Sequence, residues 1–460
     1  MTSEGLDSRH FDRKGHTVPH QSSRRSRRRS LAAVTFGNTL EWYEWGTYGV
    51  FAPFIAAAMF DAADPVSALL STFAVFAIGF FMRPVGGIVF GRIADVKGRR
   101  VVLVTTLLLM GGGSFAIGLA PSFETVGVWA SVILLVARLV QGFAHGGETA
   151  TSNSYISELA PPDRRGVWSS ISYAAVLGGT VIAFALGYGL IVTLGESAVA
   201  DWAWRVPFVL GGIFALVVLV LRRSMEESEV FSSQDATASV AEPSVSRRAL
   251  ARGVVTGVAL ICGLTVFQYT WLSFVPNYAI VTHGMTPRFA YLAMVGALVV
   301  GLLCLPFWGR LSDRVGRRPV VMTWAVLVAV LQVPLFTMVT DSAWTLFIAS
   351  AVAWTLATMT GSLQAAALAE LFSTRNRTFG IGLAFSVSVA LFGGTAPYLN
   401  QWLYSRDLGS LAMGYVIACA LVTGVAGWVM RETKGIDLNQ ADAAELVDDA
   451  PWPTAGAARG

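Results

Sequence analysis

Charge is scarce in this sequence. Asp, Glu, Lys and Arg make up 13% of its 460 residues and hydrophobic residues 54%, whereas soluble domains carry about 25% charged residues. That balance excludes a soluble globular protein and excludes disorder. Cysteine is nearly absent. Cys262, Cys304 and Cys419 all fall in apolar segments, so neither a disulfide frame nor a zinc site is indicated. There is no Ser/His/Asp arrangement, no metal-ligand spacing and no nucleotide motif, so an enzyme, a cofactor and a metal are not expected. Gly111, Gly112 and Gly113 sit within an apolar stretch and read as close helix packing, not as a phosphate loop. The formal net charge of +4 does not by itself imply nucleic acid. Where the positive charges sit matters more.

What the chain does have is apolar length. Twelve segments lie at approximately 31–59, 66–90, 101–120, 124–159, 167–194, 202–222, 250–281, 288–309, 319–340, 342–371, 378–402 and 409–430. A crossing needs about 20 residues, and each run is far longer than a barrel strand. Helix is the open structure that satisfies its own backbone in lipid. The expected fold is therefore an all-α integral membrane protein of twelve transmembrane helices in two six-helix bundles.

The connections alternate in charge. One set holds the run RRSRRRS (24–30), then Arg92, Lys97, Arg99, Arg100, Arg164, Arg165, Arg222, Arg223, Arg247, Arg248, Arg252, Arg310, Arg314, Arg317, Arg318, Arg375, Arg377, Arg431 and Lys434. The other holds Arg205, Arg288 and Arg406 beside Asp61, Asp64, Glu124, Glu196, Asp201 and Asp341. The positive-inside rule makes the first set cytoplasmic, with both termini inside. Trp202 and Trp204 fall at the outer mouth of the sixth segment, where an aromatic belt is expected. The basic N-terminal run is no signal peptide: the apolar stretch after it is too long and is interrupted by Glu41 and Glu44.

The domain plan is a basic cytoplasmic tail (1–30), a six-helix bundle (31–222), a Ser/Glu/Ala-rich cytoplasmic linker (223–249), a second bundle (250–430) and a cytoplasmic tail (431–460).

Two loops repeat. GRIADVKGRR (91–100) follows the second segment and GRLSDRVGRR (309–318) follows the eighth. In both, the glycine is expected to make a tight exit from a helix and the aspartate to meet a helix N-terminus. Gly91, Asp95 and Arg99, with Gly309, Asp313, Arg314 and Arg317, are the candidate gating residues.

With six plus six helices, the loop pattern G-x-x-x-D-R-x-G-R-R resembles the major facilitator superfamily. The stretches GNTLEWYEWGTYG (37–49), FFMRPVGGIVFGRIAD (80–95), RLVQGFAHGGE (138–148), SELAPPDRRG (157–166), WAWRVPFVLGG (202–212) and AELFSTRNRTFGIGLAFSVSVALFGGTAP (369–397) resemble, more narrowly, its metabolite:proton symporter family. Residues 71–225 look most like 2-oxoglutarate permeases. Proline/betaine, citrate and shikimate carriers are other relatives. The resemblance implies a multi-pass protein of the inner membrane that works as a monomer and imports a small organic acid, such as 2-oxoglutarate or a related dicarboxylate, with a proton by alternating access. A zwitterionic osmolyte such as proline or betaine is the second reading, and a passive channel a third. Glu44 stands where the family often has aspartate, Val96 where it often has arginine, and Phe385 and Ser386 where it often has Tyr-Asn, which loosens the carry-over of any one substrate.

The residues support a site in the first half. A charge at mid-membrane costs roughly 2.5–3.5 kcal/mol even on insertion scales and usually faces a bundle interior. Arg138 is always charged and needs a counter-charge. Glu44 lies about 14 residues into its segment, about 20 Å at 1.5 Å per residue, near the middle of a ~30 Å core. Burial and a nearby cation pull the protonation of such an acid in opposite directions. Arg138 is expected to hold Glu44 ionised and to release it on protonation. A fixed-length count sets Arg138 higher in the membrane than Glu44, so Glu148 stands as a second coupling acid. Glu41 reads as a snorkelling or packing residue, His145 as a satisfied core histidine, and Arg83 as an inner-gate or snorkelling cation. Neutral substrate contacts are expected from Tyr48, Gln268, Tyr269, Trp271, Asn277, Gln364 and Ser386.

Overall fold

Hydrocarbon offers no hydrogen bonds to a bare peptide group, and the chain meets that constraint with helices. The computed structural model describes residues 24–61, 64–97, 99–146, 156–157, 160–223, 247–372, 377–436 and 438. The long helices are α1 (Arg24–Val50), α2 (Pro65–Lys97), α3 (Arg99–Gly118), α4 (Val128–His145), α5 (Arg165–Leu194), α6 (Val206–Arg223), α7 (Arg247–Tyr269), α8 (Pro287–Val315), α9 (Arg317–Thr337), α10 (Ala343–Gly361), α11 (Arg377–Ser388) and α12 (Gly409–Val429). Among the described residues nine helical spans are long and apolar enough to cross a membrane, and two further apolar helices, Val104–Gly118 and Ala203–Leu219, are shorter. No strand occurs among the described residues. The basic run (24–30) opens α1.

The first half packs α1 on α5, α2 on α4, and α3 on α4 and α6. The second packs α7 on α11 and α12, α8 on α10, and α9 on α12. The halves meet along two seams, α5 against α8 and α2 against α11 and the segment after it. Small residues make the first-half packing possible. A Cβ on Gly142 would collide with the Gly79 carbonyl, one on Gly86 with the Phe143 carbonyl, and one on Gly146 with the Arg83 carbonyl. The α2 and α4 backbones therefore touch, and this sets the height at which their side chains face each other.

Three helices lining the space between the halves are irregular. The first segment breaks at Phe51 and resumes as Ala52–Met59. The seventh carries a π-turn at Thr270–Phe274 and the eleventh another at Val389–Gly393. Such turns concentrate at functional sites.

Two sequence expectations are corrected here. Gly309 does not end its helix, because α8 runs on to Val315 and Gly316, at φ 107°, makes the exit. Gly309 instead permits close approach: a Cβ there would sit 2.9 Å from the Gly166 carbonyl oxygen of α5. The helix α2 likewise continues through Gly91 to Lys97. Trp204 is no belt residue; it is fully buried, packed edge-on against Phe208, while Trp202 is exposed.

At the arginine-rich end the halves are latched. Asp313 accepts from the Gly166 and Val167 amides, at 2.8 and 3.0 Å, at the start of α5, where a carboxylate suits the helix N-terminus. Arg165 pairs with Glu370 at 2.9 Å, and Arg317 pairs with both Glu370 and Asp313. The segment after α12 lies across this end. Glu432 accepts from the Arg317 and Arg318 amides, and the Ile436 carbonyl accepts from Arg165. Arg314 is exposed. The side chains of Asp95 and Arg99 lie outside the described residues. At the far end Asn277 donates to the Gly49 carbonyl at 2.9 Å and Tyr291 to the Val50 carbonyl at 2.6 Å. The halves thus touch at both ends.

Candidate functional site

Glu44, Arg138 and Gln141 meet between α1 and α4. Glu44 Oε2 accepts from the Ser114 hydroxyl and from Gln141 Nε2, the latter at 2.8 Å. Gln141 Nε2 lies 2.8 Å from Ser114 Oγ as well, and Gln141 Oε1 accepts from Arg138 Nη1 at 2.8 Å. Arg138 is 1% and Glu44 4% exposed, so this chain of polar groups lies wholly inside the first half. Glycines make the room. A Cβ on Gly113 would stand 2.6 Å from Gln141 Cγ, and one on Gly211 2.6 Å from Glu44 Oε1.

The arginine does not touch the acid directly. Gln141, one turn beyond Arg138, carries the connection, so the fixed-length count of depths missed a reach that three side chains share. Arg138 and Gln141 stand at i and i+3 on one face of α4, which was the available signal. Ser114 had none. The Arg138 guanidinium also stacks on Trp45 at 4.2 Å and on Tyr48 at 4.1 Å. Glu148 lies outside the described residues.

A second unit sits beside the first. Glu41 is 1% exposed, so it does not snorkel. Its Oε1 is 3.4 Å from His145 Nδ1 and 3.6 Å from Arg83 Nη2. Arg83 stacks on Trp45 at 4.5 Å and on Phe80 at 4.6 Å. Trp45 therefore serves both arginines.

The expected substrate contacts divide. Gln268 and Tyr269 lie where the halves meet. Gln268 Oε1 accepts from Tyr173 of α5 at 3.0 Å, and Tyr269 stacks on Trp42 of α1 with centroids 6.1 Å apart. Neither Gln268 Nε2 nor the Tyr269 hydroxyl has a hydrogen-bond partner, though both are buried. Gln364 lines a cavity of about 20 Å³ between the halves, with Asn38, Trp42, Ser172, Tyr173 and Phe385. That volume holds about one water molecule. Ser386 is buried on α11, next to Phe385. Trp271 is turned into the second half, donating to Gln332 at 3.1 Å. Tyr48 commits its hydroxyl to the Thr72 carbonyl at 2.9 Å. Asn277 belongs to the far-end closure. No cluster of His, Cys, Asp and Glu able to hold a metal occurs among the described residues.

Comparison with known proteins adds the following. Residues 30–252 match the family model for sugar (and other) transporters, and residues 273–455 match that of the Major Facilitator Superfamily. The chain is 33% identical to the alpha-ketoglutarate permease of Escherichia coli (strain K12) over 423 residues, covering 91% of this chain and 97% of the permease. It is 33% identical to the citrate-proton symporter of Salmonella typhi, covering 87% and 93%, and 31% identical to the proline/betaine transporter of Escherichia coli (strain K12), covering 90% and 85%. Among solved structures, the proton:xylose symporter XylE bound to 6-bromo-6-deoxy-D-glucose superposes with a TM-score of 0.71 at 19% identity, over 90% of this chain and 98% of that one.

Proposed function

The chain belongs to the major facilitator superfamily, and from that premise we propose that it is a proton-coupled symporter importing a small organic acid such as 2-oxoglutarate or a related dicarboxylate. It is a multi-pass membrane protein and a transporter, not an enzyme. Twelve crossings, cytoplasmic termini, two bundles at 31–222 and 250–430, an inner-membrane location and function as a monomer complete the proposal.

The carrying observation is the buried series Arg138–Gln141–Glu44–Ser114. As a carboxylate, Glu44 holds two donors on one oxygen. Once protonated it becomes a donor itself, and Arg138 loses the negative charge behind the Gln141 amide. One proton thus changes what Arg138 seeks, and a substrate carboxylate supplies it. The two seams let the halves rock about a fixed central site. The latch of Asp313, Arg317, Arg165 and Glu370 would open on one side while the closure at Asn277 and Tyr291 holds on the other. Glu148 stays the alternative coupling acid. Among the expected substrate contacts, Gln268, Tyr269 and Gln364 have a placement between the halves that supports the role.

The test is Glu44→Gln in reconstituted vesicles. Accumulation driven by a pH gradient should vanish while substrate exchange persists. A variant that still accumulates substrate against its gradient removes Glu44 as the coupling acid. Uptake by the unaltered protein that ignores collapse of the pH gradient points to a passive pore.

The osmolyte reading has one supporting observation. Trp42 and Tyr269 face each other across the halves, 6.1 Å apart and inclined at 26°, and aromatic faces attract quaternary ammonium groups. Competition among 2-oxoglutarate, citrate, shikimate, proline and betaine separates the readings.

A further inference from the structure

Arg83 is as deeply buried as Arg138, at 2% against 1% exposure, yet the two are bonded differently. Arg138 donates through Nη1. At Arg83 the Nε, Nη1 and Nη2 atoms all lack a hydrogen-bond partner. Its nearest anion, Glu41, stands at 3.6 Å, an ion pair beyond hydrogen-bond reach. A guanidinium offers five N–H donors, and leaving them unmade in a buried place is expensive. The fold can saturate a buried arginine. In Arg317 all three guanidinium nitrogens are bonded, to Glu370, Ser312 and Asp313.

The opposite half brings the Tyr269 hydroxyl close enough to Arg83 to feel its charge. Phe80, on which Arg83 stacks, has its ring centroid 5.3 Å from that of Tyr269. The Tyr269 hydroxyl is buried without a partner. The group that suits this set accepts hydrogen bonds through two oxygens and carries negative charge. A carboxylate does so, and it meets arginine in bidentate fashion.

We propose that Arg83 binds the substrate's carboxylate, with Tyr269 as a second donor from the other half, and that Glu41 stands in for that carboxylate when substrate is absent. This rests on the symporter reading above. Protonation of Glu41 removes its negative charge from Arg83, and the arriving carboxylate replaces it, so the local charge is kept. Among the described residues, the charged and titratable groups set against Glu41 are Arg83 on α2, His145 on α4 and Tyr269 on α7, with Glu44 one turn along α1. Because 2-oxoglutarate, citrate, proline and betaine all carry a carboxylate, the assignment does not depend on which is carried.

The experiment uses the full chain in vesicles, with those four compounds as probes, and measures exchange without a pH gradient. For a probe the unaltered protein exchanges, Arg83→Gln should raise KM about 10- to 100-fold, the equivalent of one or two charge-assisted hydrogen bonds. Arg83→Lys should recover part of that loss. Glu41→Gln should lower KM near neutral pH and flatten its dependence on pH. An Arg83→Gln protein with KM within about twofold of the unaltered one, or a Glu41→Gln protein that keeps the original pH dependence, overturns the proposal. If Arg83→Gln does not yield folded protein, the Glu41→Gln result decides. A Glu44→Gln protein that still accumulates substrate sinks the coupling reading and leaves the Arg83 result standing; no exchange of any probe by the unaltered protein overturns both.

Discussion

Two groups of buried arginines sit in this protein and are treated in opposite ways. At the arginine-rich end Arg317 has every guanidinium nitrogen bonded, and Arg165 is held by Glu370 and two backbone carbonyls. In the cleft, Arg138 bonds through one nitrogen and Arg83 through none, and both lean on the ring of Trp45. Burial does not separate the groups, since Arg317 is 0% and Arg138 1% exposed. Their partners do. A saturated arginine is a clamp whose energy resides in contacts already made. An arginine resting on an aromatic face keeps its hydrogen bonds available for a partner that comes and goes.

The contrast breaks most readily through stability. Arg317→Met takes a cation from both Asp313 and the buried Glu370 carboxylate, which keeps Arg165, and should destabilise the protein by about 3 kcal/mol, seen as a lower melting temperature in detergent. Arg138→Met leaves a neutral amide oxygen unpaired and should cost about 1–3 kcal/mol, with transport lost. Equal losses at the two positions would erase the distinction. Next in size is Gly142→Val. Its side chain meets the Gly79 carbonyl, and forcing α2 from α4 should cost about 1–3 kcal/mol while abolishing coupled uptake, because Arg83 on α2 loses its register with Arg138 and His145 on α4. Full coupled transport in that variant would show that these arginines need no such register. The smallest effect is expected from Tyr173→Phe, which deletes the hydroxyl donating to Gln268 across the halves. Stability should fall by about 0.5–1.5 kcal/mol; a rise in exchange rate alongside would mark that bond as one that opens during each cycle.

Much of this was readable in advance, for particular reasons. Glu44 and Arg138 stood out because ionised groups are rare in long apolar runs. Asp313 stood out because its loop repeats. The contacts of Gly142 and Gly146 with Gly79 and Arg83 join residues far apart in sequence and had no signal there. For Glu41 the sequence left snorkelling and packing open, because its position along α1 does not reveal what α2 and α4 set against it; burial removes the first. Trp271 and Tyr48 share the polarity of good substrate contacts, but helix rotation gives their donors to Gln332 and Thr72.

By itself the order of residues determined where helices cross, which connections are basic and which side chains hydrocarbon forbids from facing outward, since each follows from transferring local groups out of water. Only the tertiary structure decided which acid answers which arginine. Depth along a helix is one coordinate, and pairing also depends on rotation and on helix separation, which in this protein glycine contacts between α2 and α4 set from a distance in sequence.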